Sequence, residues 1–336
     1  MNSKWILKSR PVGKVEASHF EMVREPIPRP GAGEMLIAVQ HLIVTPPLRM
    51  SLTSGGISGK PLPLGATVRG TGLGRVVESN NAAFAQGDLV LGAIGWQQYV
   101  ISDGVRKVPV QKVVPRNGLS PTTLLHVMGA SGATAWFGMY EYCRPRYGDT
   151  LVVSAAAGTV GAVMCQLGKQ NGLRVIGIAG GARKCAWLTS GLNCDGAIDY
   201  KSEDVSARLR ELCPRGIDIY FDNVGGAILD AALGQIAQGA RVVLCGGTSQ
   251  YEHDNDWYGP KNYFNLVYKQ ARMSGFYIYN FANRFEEAYS RLGPAFADGS
   301  LRYIEDVLDG LEQAPSALAR VLSGENFGTQ LARVQE

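Results

Sequence analysis

Between residues 150 and 278 the chain alternates short, almost wholly apolar runs with stretches of helical period. Apolar runs at 150–154, 174–178, 196–199, 217–221, 241–245 and 273–278 predict strands buried on both faces with helices between them. That is the pattern of a doubly wound parallel sheet in an α/β fold. Residues 1 to about 125 read differently, with short alternating runs at 35–39, 74–78 and 88–91 set between Gly- and Pro-rich turns. These predict a compact, mostly antiparallel β domain. From about 300 the strand–helix rhythm stops, and the ending ENFGTQLARV predicts one more helix boundary and a strand that return to the first domain. The expected organisation is therefore a β-rich domain over 1–125, a doubly wound domain over 126–298 and a returning tail over 299–336, with a cleft between domains where ligands commonly bind.

The run TLVVSAAAGTVG at 150–161 carries the first chemistry. A buried strand turns on small residues straight into a helix predicted over 159–170. Ala156 and Gly158 would let the backbone approach a pyrophosphate, Gly161 would let the first helical turn lie close on the strand, and free amides at the helix N-terminus would face the anion. The spacing is A-x-G-x-x-G instead of G-x-G-x-x-G. After the second strand, where an NAD-binding domain offers an acid to the adenosine ribose, stand Ala179, Gly180 and Gly181, with Arg183 and Lys184 just beyond. Absence of a carboxylate and presence of two cations favour NADP(H) over NAD(H). A solvated basic helix start is the alternative, although cations there oppose the helix dipole.

Length and composition narrow the class. A chain of 336 residues suits two domains, and 46% apolar residues suffice to fill both cores. A net charge of +4, without a basic run interleaved with aromatics, argues against nucleic acid as a partner. The start MNSKWILKSRPVG lacks the long apolar segment of a leader, and the apolar stretch around 124–140 is interrupted by His126 and glycines, so no membrane association and a cytoplasmic location are expected. The six cysteines (Cys143, Cys165, Cys185, Cys194, Cys213, Cys245) show no C-x-x-C spacing and read as small buried hydrophobes.

Taken together, LKSRPVG at 7–13, EPIPRPGAGE at 25–34, VVSAAAGTVG at 152–161, GIAGGARK at 177–184, AIDYKSED at 197–204, FDNVGG at 221–226, VVLCGGTSQY at 242–251 and GENFG at 324–328 form a specific pattern. Over nearly its whole length the chain resembles the zinc-independent medium-chain dehydrogenase/reductases, in the branch of prostaglandin reductases, plant alkenal double-bond reductases and bacterial curcumin reductase. The resemblance implies a GroES-like first domain and a Rossmann second domain. It implies that Lys184 and Tyr200 hold the adenosine 2′-phosphate beside Gly180. Ala156, Gly158, Thr159, Val160 and Gly161 would hold the pyrophosphate, and Asn223, Cys245, Tyr251 and Asn326 the nicotinamide half. Asn223 is also readable as a turn residue before Gly225-Gly226, and Cys245 as core. Zinc is not expected: residues 1–125 contain no cysteine, LGATVRG stands where zinc-dependent relatives carry a histidine, and His19, His41, His126 and His253 read as surface or satisfied core residues.

The implied reaction is NADPH-dependent reduction of the C=C bond of an α,β-unsaturated ketone or aldehyde, with hydride delivered to the β-carbon and a proton to the α-carbon. The protein must add orientation and a donor at the carbonyl oxygen, where charge develops. Tyr268 and Tyr251 are the candidates, Tyr268 foremost, with a structural role as its alternative. Thr45, Pro47 and Leu48 with Tyr268 are the expected substrate-pocket residues. Here TPPLR at 45–49 departs from the D-P-Y-M-R of the branch, and GASGATAW at 129–136 from G-M-P-G-x-T-A-Y, which implies a reshaped, more apolar pocket. Competing readings are a quinone or enoyl-thioester reductase, a carbonyl reductase or alcohol dehydrogenase, and a non-catalytic NADPH-binding protein. A homodimer is expected from the resemblance.

Overall fold

In the computed structural model the chain divides into two units, Met1–Leu125 with Glu305–Glu336, and His126–Ile304. All residues are described except 54–59, 117, 254–255 and 336. In the first unit β1 (Asn2–Leu7) and β2 (Phe20–Glu25) form an antiparallel pair. A second sheet is built on β3 (Met35–Ile43), which leads into the short helix α1 (Leu48–Thr53) and pairs with β4 (Thr71–Ser79) and β6 (Tyr99–Ser102). From β4 the sheet continues through β5 (Leu89–Gly92) to β7 (Val110–Lys112). Gly72 and Gly74 lie on β4 where the β3–β4 register shifts: a Cβ on Gly72 would come 2.6 Å from His41 O, and one on Gly74 2.7 Å from Ala38 O. Only glycine allows that approach.

The second unit begins with α2 (Ala130–Phe137) and then alternates strand and helix: β8 (Thr150–Val153), α3 (Thr159–Gln170), β9 (Arg174–Ala179), α4 (Ala182–Ala186) and β10 (Gly196–Asp199). It continues with α5 (Val205–Leu212), β11 (Ile217–Asp222), α6 (Gly226–Leu233), β12 (Ile236–Leu244), α7 (Asn265–Tyr268), β13 (Arg272–Gly275) and α8 (Phe285–Ala297). The six strands lie in the order β10-β9-β8-β11-β12-β13 and every pairing is parallel. Every residue of β8 is buried, as are all but the first of β9, which is why these strands read as unbroken apolar runs. Val152, Ile176, Ile178, Ile198 and Tyr220 join Leu209 of α5 and Leu229 of α6 in one core. The chain departs from β8 in one direction toward β10 and from β11 in the other toward β13. The topological switch point, where sheets of this kind bind ligands, therefore lies between the carboxyl ends of β8 and β11.

Two strand boundaries differ from the sequence expectation. β12 starts at Ile236, not 241, because Ala237–Ala240 pass through a bulge with Gly239 at φ +72°, a polar interruption that hides the pairing of Ile236 with Ile217. β13 ends at Gly275, and 278–284 form a 3₁₀ turn instead. The tail carries β14 (Glu305–Asp309), α9 (Ala314–Leu322) and β15 (Thr329–Arg333). β15 pairs antiparallel with β3 and parallel with β14. Residues 299–304 group with the second unit: Gln166 of α3 donates through Nε2 to Arg302 O (2.9 Å) and accepts Arg302 N–H at Oε1 (2.8 Å).

Candidate functional site

The turn from β8 into α3 is shaped by two close approaches. Ala155 takes a left-handed conformation at φ +46°, and Gly158 N–H closes the turn on Ala155 O at 3.0 Å. A Cβ on Gly161 would overlap Ala155 O and stand 2.8 Å from Ala156 Cα, so only glycine lets the first turn of α3 rest on the turn before it. Ala156 is fully buried and its N–H bonds Ile178 O of β9 at 3.0 Å. Its amide thus ties two strands together, and the backbone that can face an anion belongs to the residues after it. The N-cap of α3 is Gly158, which has no side chain to cap the first turn that Thr159 and Val160 begin. An uncapped helix N-terminus at the end of a parallel strand favours a phosphate by both its amides and its dipole.

Beyond β9 the turn Gly180-Gly181 is built around a carboxylate that sequence inspection passed over. Asp199, the last residue of β10, accepts Gly181 N–H (2.8 Å), Lys201 N–H (3.0 Å) and Ser202 Oγ–H (3.0 Å). The Gly181 and Lys201 amides, the Ser202 hydroxyl and the Lys201 charge hold its carboxyl below the usual carboxylate range. Its charge is thereby directed at backbone. Gly180 packs against Tyr200, since a Cβ there would be 2.9 Å from the phenol ring. Lys184 is half-buried and Arg183 exposed on α4, and Tyr200 is exposed. The signal for Asp199 was present in AIDYKSED, one strand further along than the position inspected.

At the switch point four elements meet. Asn223, directly after β11, donates through Nδ2 to Ser154 O (2.7 Å) and through its backbone N–H to Ser154 Oγ (2.8 Å), so the ends of β8 and β11 are joined. Cys245 and Gly246, after β12, donate their N–H groups to Asp222 O at 2.8 and 3.1 Å. Burial, with the Asp222 carboxylate nearby, pushes the Cys245 thiol up to about 12. It is neutral at physiological pH. Tyr251 is half-buried, its hydroxyl accepts Gly247 N–H at 3.2 Å, and burial raises its phenol above the ordinary value. Asn223, Cys245 and Tyr251 are therefore neighbours, and Asp222, buried beneath them, is a participant that sequence reading missed.

Tyr268 lies elsewhere on the same unit, at the end of α7, 70% exposed and edge-on to Phe264 with ring centroids 5.2 Å apart. The segment leading to it is anchored on α6. Buried Asp230 accepts Tyr258 Oη–H (2.8 Å) and Asn262 N–H (2.7 Å), and Asn265 donates to Leu233 O (3.0 Å).

The remaining candidates belong to the first unit. Thr45 and Leu48 are half-buried, Pro47 is exposed, and Thr45 O accepts Leu48 N–H at 3.1 Å to start α1. Arg49 beside them is fully buried, its guanidinium donating to Gly13 O (3.0 Å) and Thr53 Oγ1 (2.8 Å), which pins this loop to 11–13. Asn326 is half-buried and donates through Nδ2 to Gly328 O at 2.9 Å. Among the described residues no group of three or more His, Cys, Asp or Glu is placed to hold a metal ion.

A profile described as N-terminal domain of oxidoreductase matches residues 3–110, and one described as Zinc-binding dehydrogenase matches 159–293. NADPH-dependent curcumin reductase of Escherichia coli (strain K12) is 36% identical, the match covering 99% of this chain and 97% of that protein. The 2-alkenal reductase (NADP(+)-dependent) of Nicotiana tabacum is 34% identical over 99% of this chain and 97% of its own. The crystal structure of CurA from Vibrio vulnificus in complex with NADPH shares 37% identity, covers 99% of both chains and superposes with a TM-score of 0.92.

Proposed function

The chain belongs to the zinc-independent medium-chain dehydrogenase/reductases, in the branch of curcumin, alkenal and prostaglandin reductases, and from that premise we propose that it is an NADPH-dependent reductase of the C=C bond of α,β-unsaturated ketones and aldehydes. The observation that carries this reading is the gathering of Ser154, Asn223, Cys245 and Tyr251 around the carboxyl ends of β8, β11 and β12 at the switch point of the sheet. When bound, NADPH supplies the hydride. The residues present fit it: the uncapped start of α3 suits a pyrophosphate, and Lys184 with Tyr200 suits a 2′-phosphate, the Asp199 charge being held by backbone amides.

Of the chain's own groups, Asn223 orients the nicotinamide end and Cys245 contributes a neutral, polarisable wall. Tyr251 holds the Gly246-Gly247 loop while keeping its own proton to donate. Tyr251 hydrogen-bonds the substrate carbonyl oxygen as negative charge builds there, and water delivers the proton to the α-carbon; Tyr268, next to Lys269 whose carbonyl accepts Gly239 N–H near the amino end of β12, is too far from the switch point to do so within one chain. Thr45, Pro47 and Leu48 contact substrate and Asn326 contacts the nicotinamide in this reading. Pro47 and Leu48 in place of tyrosine and methionine favour apolar, bulky enones over small alkenals. Comparing rates on benzylideneacetone and on a short alkenal tests this, and equal rates contradict it.

We propose further that the protein is a cytoplasmic homodimer. β13 forms the edge of its sheet, and exposed Trp257, Tyr263, Phe264, Val267, Tyr277 and Tyr279 give the same unit an apolar surface. No described helix is long and apolar enough to cross a membrane. Light scattering should return twice the chain mass of 36.1 kDa, and a mass of one chain contradicts the dimer.

A further inference from the structure

The amide of Asn223 stands on a buried relay that the reaction itself leaves without a role. Asp222 is 0% exposed, yet four groups donate to its carboxylate. They are Ser154 Oγ (2.8 Å), Tyr220 Oη (2.9 Å), Val224 N (3.1 Å) and Gly225 N (3.0 Å to Oδ2 and 3.1 Å to Oδ1). Tyr220 and Ser154 are also 0% exposed. Burial raises the Asp222 carboxyl above its ordinary value, while the Gly225 and Val224 amides and the Ser154 and Tyr220 hydroxyls converge on it and draw it down; as a carboxylate it only accepts, so the Ser154 hydroxyl proton is committed to Asp222 and its oxygen accepts Asn223 N–H. Ser154 O, a carbonyl, also only accepts, so the Asn223 side chain has to turn its Nδ2 toward it. Oδ1 is left facing away, as an acceptor. The side-chain direction is set by the Ser154 carbonyl, and the hold on the Asn223 backbone by Ser154 Oγ, whose proton is fixed in turn by Asp222. The relay also bridges the two strands that flank the switch point, so a loss at Asp222 or Ser154 reaches the ligand side of the sheet through Asn223.

We propose that Asp222, acting through Ser154, is a positioning residue for Asn223: the Ser154 hydroxyl, its proton committed to Asp222, holds the Asn223 backbone N–H, and that seats the side chain on Ser154 O with Oδ1 offered as an acceptor to the carboxamide N–H of the nicotinamide. The inference rests on the reading of the site as an NADPH site and assigns within it the group that sets polarity at the nicotinamide end. A neutral group at 222 would release the Ser154 proton and loosen the hold of Ser154 Oγ on the Asn223 backbone N–H, so that the side chain shifts on Ser154 O and Oδ1 is no longer held where an acceptor is needed. The adenosine end, held by other residues, would not register the change.

The test is calorimetric titration of the full chain with NADPH and, separately, with 2′-phospho-ADP-ribose, which keeps the adenosine 2′-phosphate and pyrophosphate but lacks the nicotinamide. Ser154→Ala and Asp222→Asn are each compared with the wild type, and thermal melts confirm that a variant is folded. Expected is a fall in NADPH affinity of about 10-fold, the size of one directed hydrogen bond, with 2′-phospho-ADP-ribose affinity unchanged. Ser154→Ala keeps the experiment decisive if Asp222→Asn does not fold. Equal weakening of both ligands would make the relay merely structural and overturn the proposal, as would unchanged affinity for both. A wild-type chain that binds no NADPH overturns the underlying reading instead, so the two failures are distinguishable.

Discussion

The two ends of the proposed cofactor site are built on opposite principles. At the adenosine end, Lys184 and Arg183 lie on α4 with half-buried or exposed side chains, Tyr200 is exposed, and the Asp199 carboxylate is engaged by two backbone amides and a hydroxyl. At the nicotinamide end, the charge is Asp222, buried, and what reaches the surface of the sheet is a chain of neutral hydrogen-bonding groups. The first arrangement selects a ligand by charge and is open to solvent and salt. The second does not attract; it orients. Recognition that has to tell a phosphate from a hydroxyl can be exposed, whereas alignment for hydride delivery needs directions that water cannot replace.

The largest expected effect sits on the orienting side. Tyr251→Phe should lower kcat by about 10²–10³ with little change in the KM for NADPH, because the lost hydrogen bond forms fully only as charge develops on the substrate. A kcat within a few-fold of wild type removes Tyr251 from the chemistry. On the selecting side, Lys184→Ala should raise the KM for NADPH about 10- to 100-fold, the worth of a charge-assisted hydrogen bond, and leave that for NADH where it was. The wild-type KM for NADPH should climb with added salt and the variant's should climb less. A variant that loses NADPH and NADH equally would break the contrast between the two ends.

A smaller effect is predicted at Asp199. Its carboxyl is held below its ordinary value in the folded state, so it stabilises the fold above an unfolded value of about 3.9, and that contribution is lost as pH falls through the depressed folded value. Asp199→Asn should therefore flatten the loss of melting temperature below about pH 4, and a variant as acid-sensitive as wild type contradicts this. Smallest of all, the Cys245 thiol, pushed up to about 12, should resist iodoacetamide at pH 8 over times in which a free thiol reacts completely. Rapid, selective alkylation there would show a reactive thiol where a neutral one is expected.

How much was readable beforehand differs between the same two ends. The strands of the parallel sheet were visible because β8 and β9 are buried on both faces and read as uninterrupted apolar runs, and Gly161 could be singled out because a glycine after a small-residue turn has one steric purpose. Asp199 went unseen because it lies on the neighbouring strand, and only pairing of β10 with β9 brings it to Gly181. Asp222 sat in plain view in FDNVGG, but its burial comes from β8 across the sheet, sixty-eight residues away at Ser154. Ala156 illustrates the converse. The motif identified the residue, while the amide the motif would turn toward a phosphate is bonded to Ile178 O. β14, rich in acids as EDVLD, lacked the apolar run that marks the other strands and is held in place by β15. Local pattern reveals elements that bury their own apolar faces; long-range hydrogen bonds between polar groups leave no periodic trace.

The most direct test of the account is reduction of benzylideneacetone by the wild-type chain with NADPH carrying deuterium at nicotinamide C4, a matched reaction with NADH, and location of the label in the product by NMR. The account predicts turnover with NADPH well above that with NADH and a saturated ketone bearing deuterium at the former β-carbon. Deuterium on the carbinol carbon of an allylic alcohol, or no turnover by a chain that binds NADPH, would contradict it.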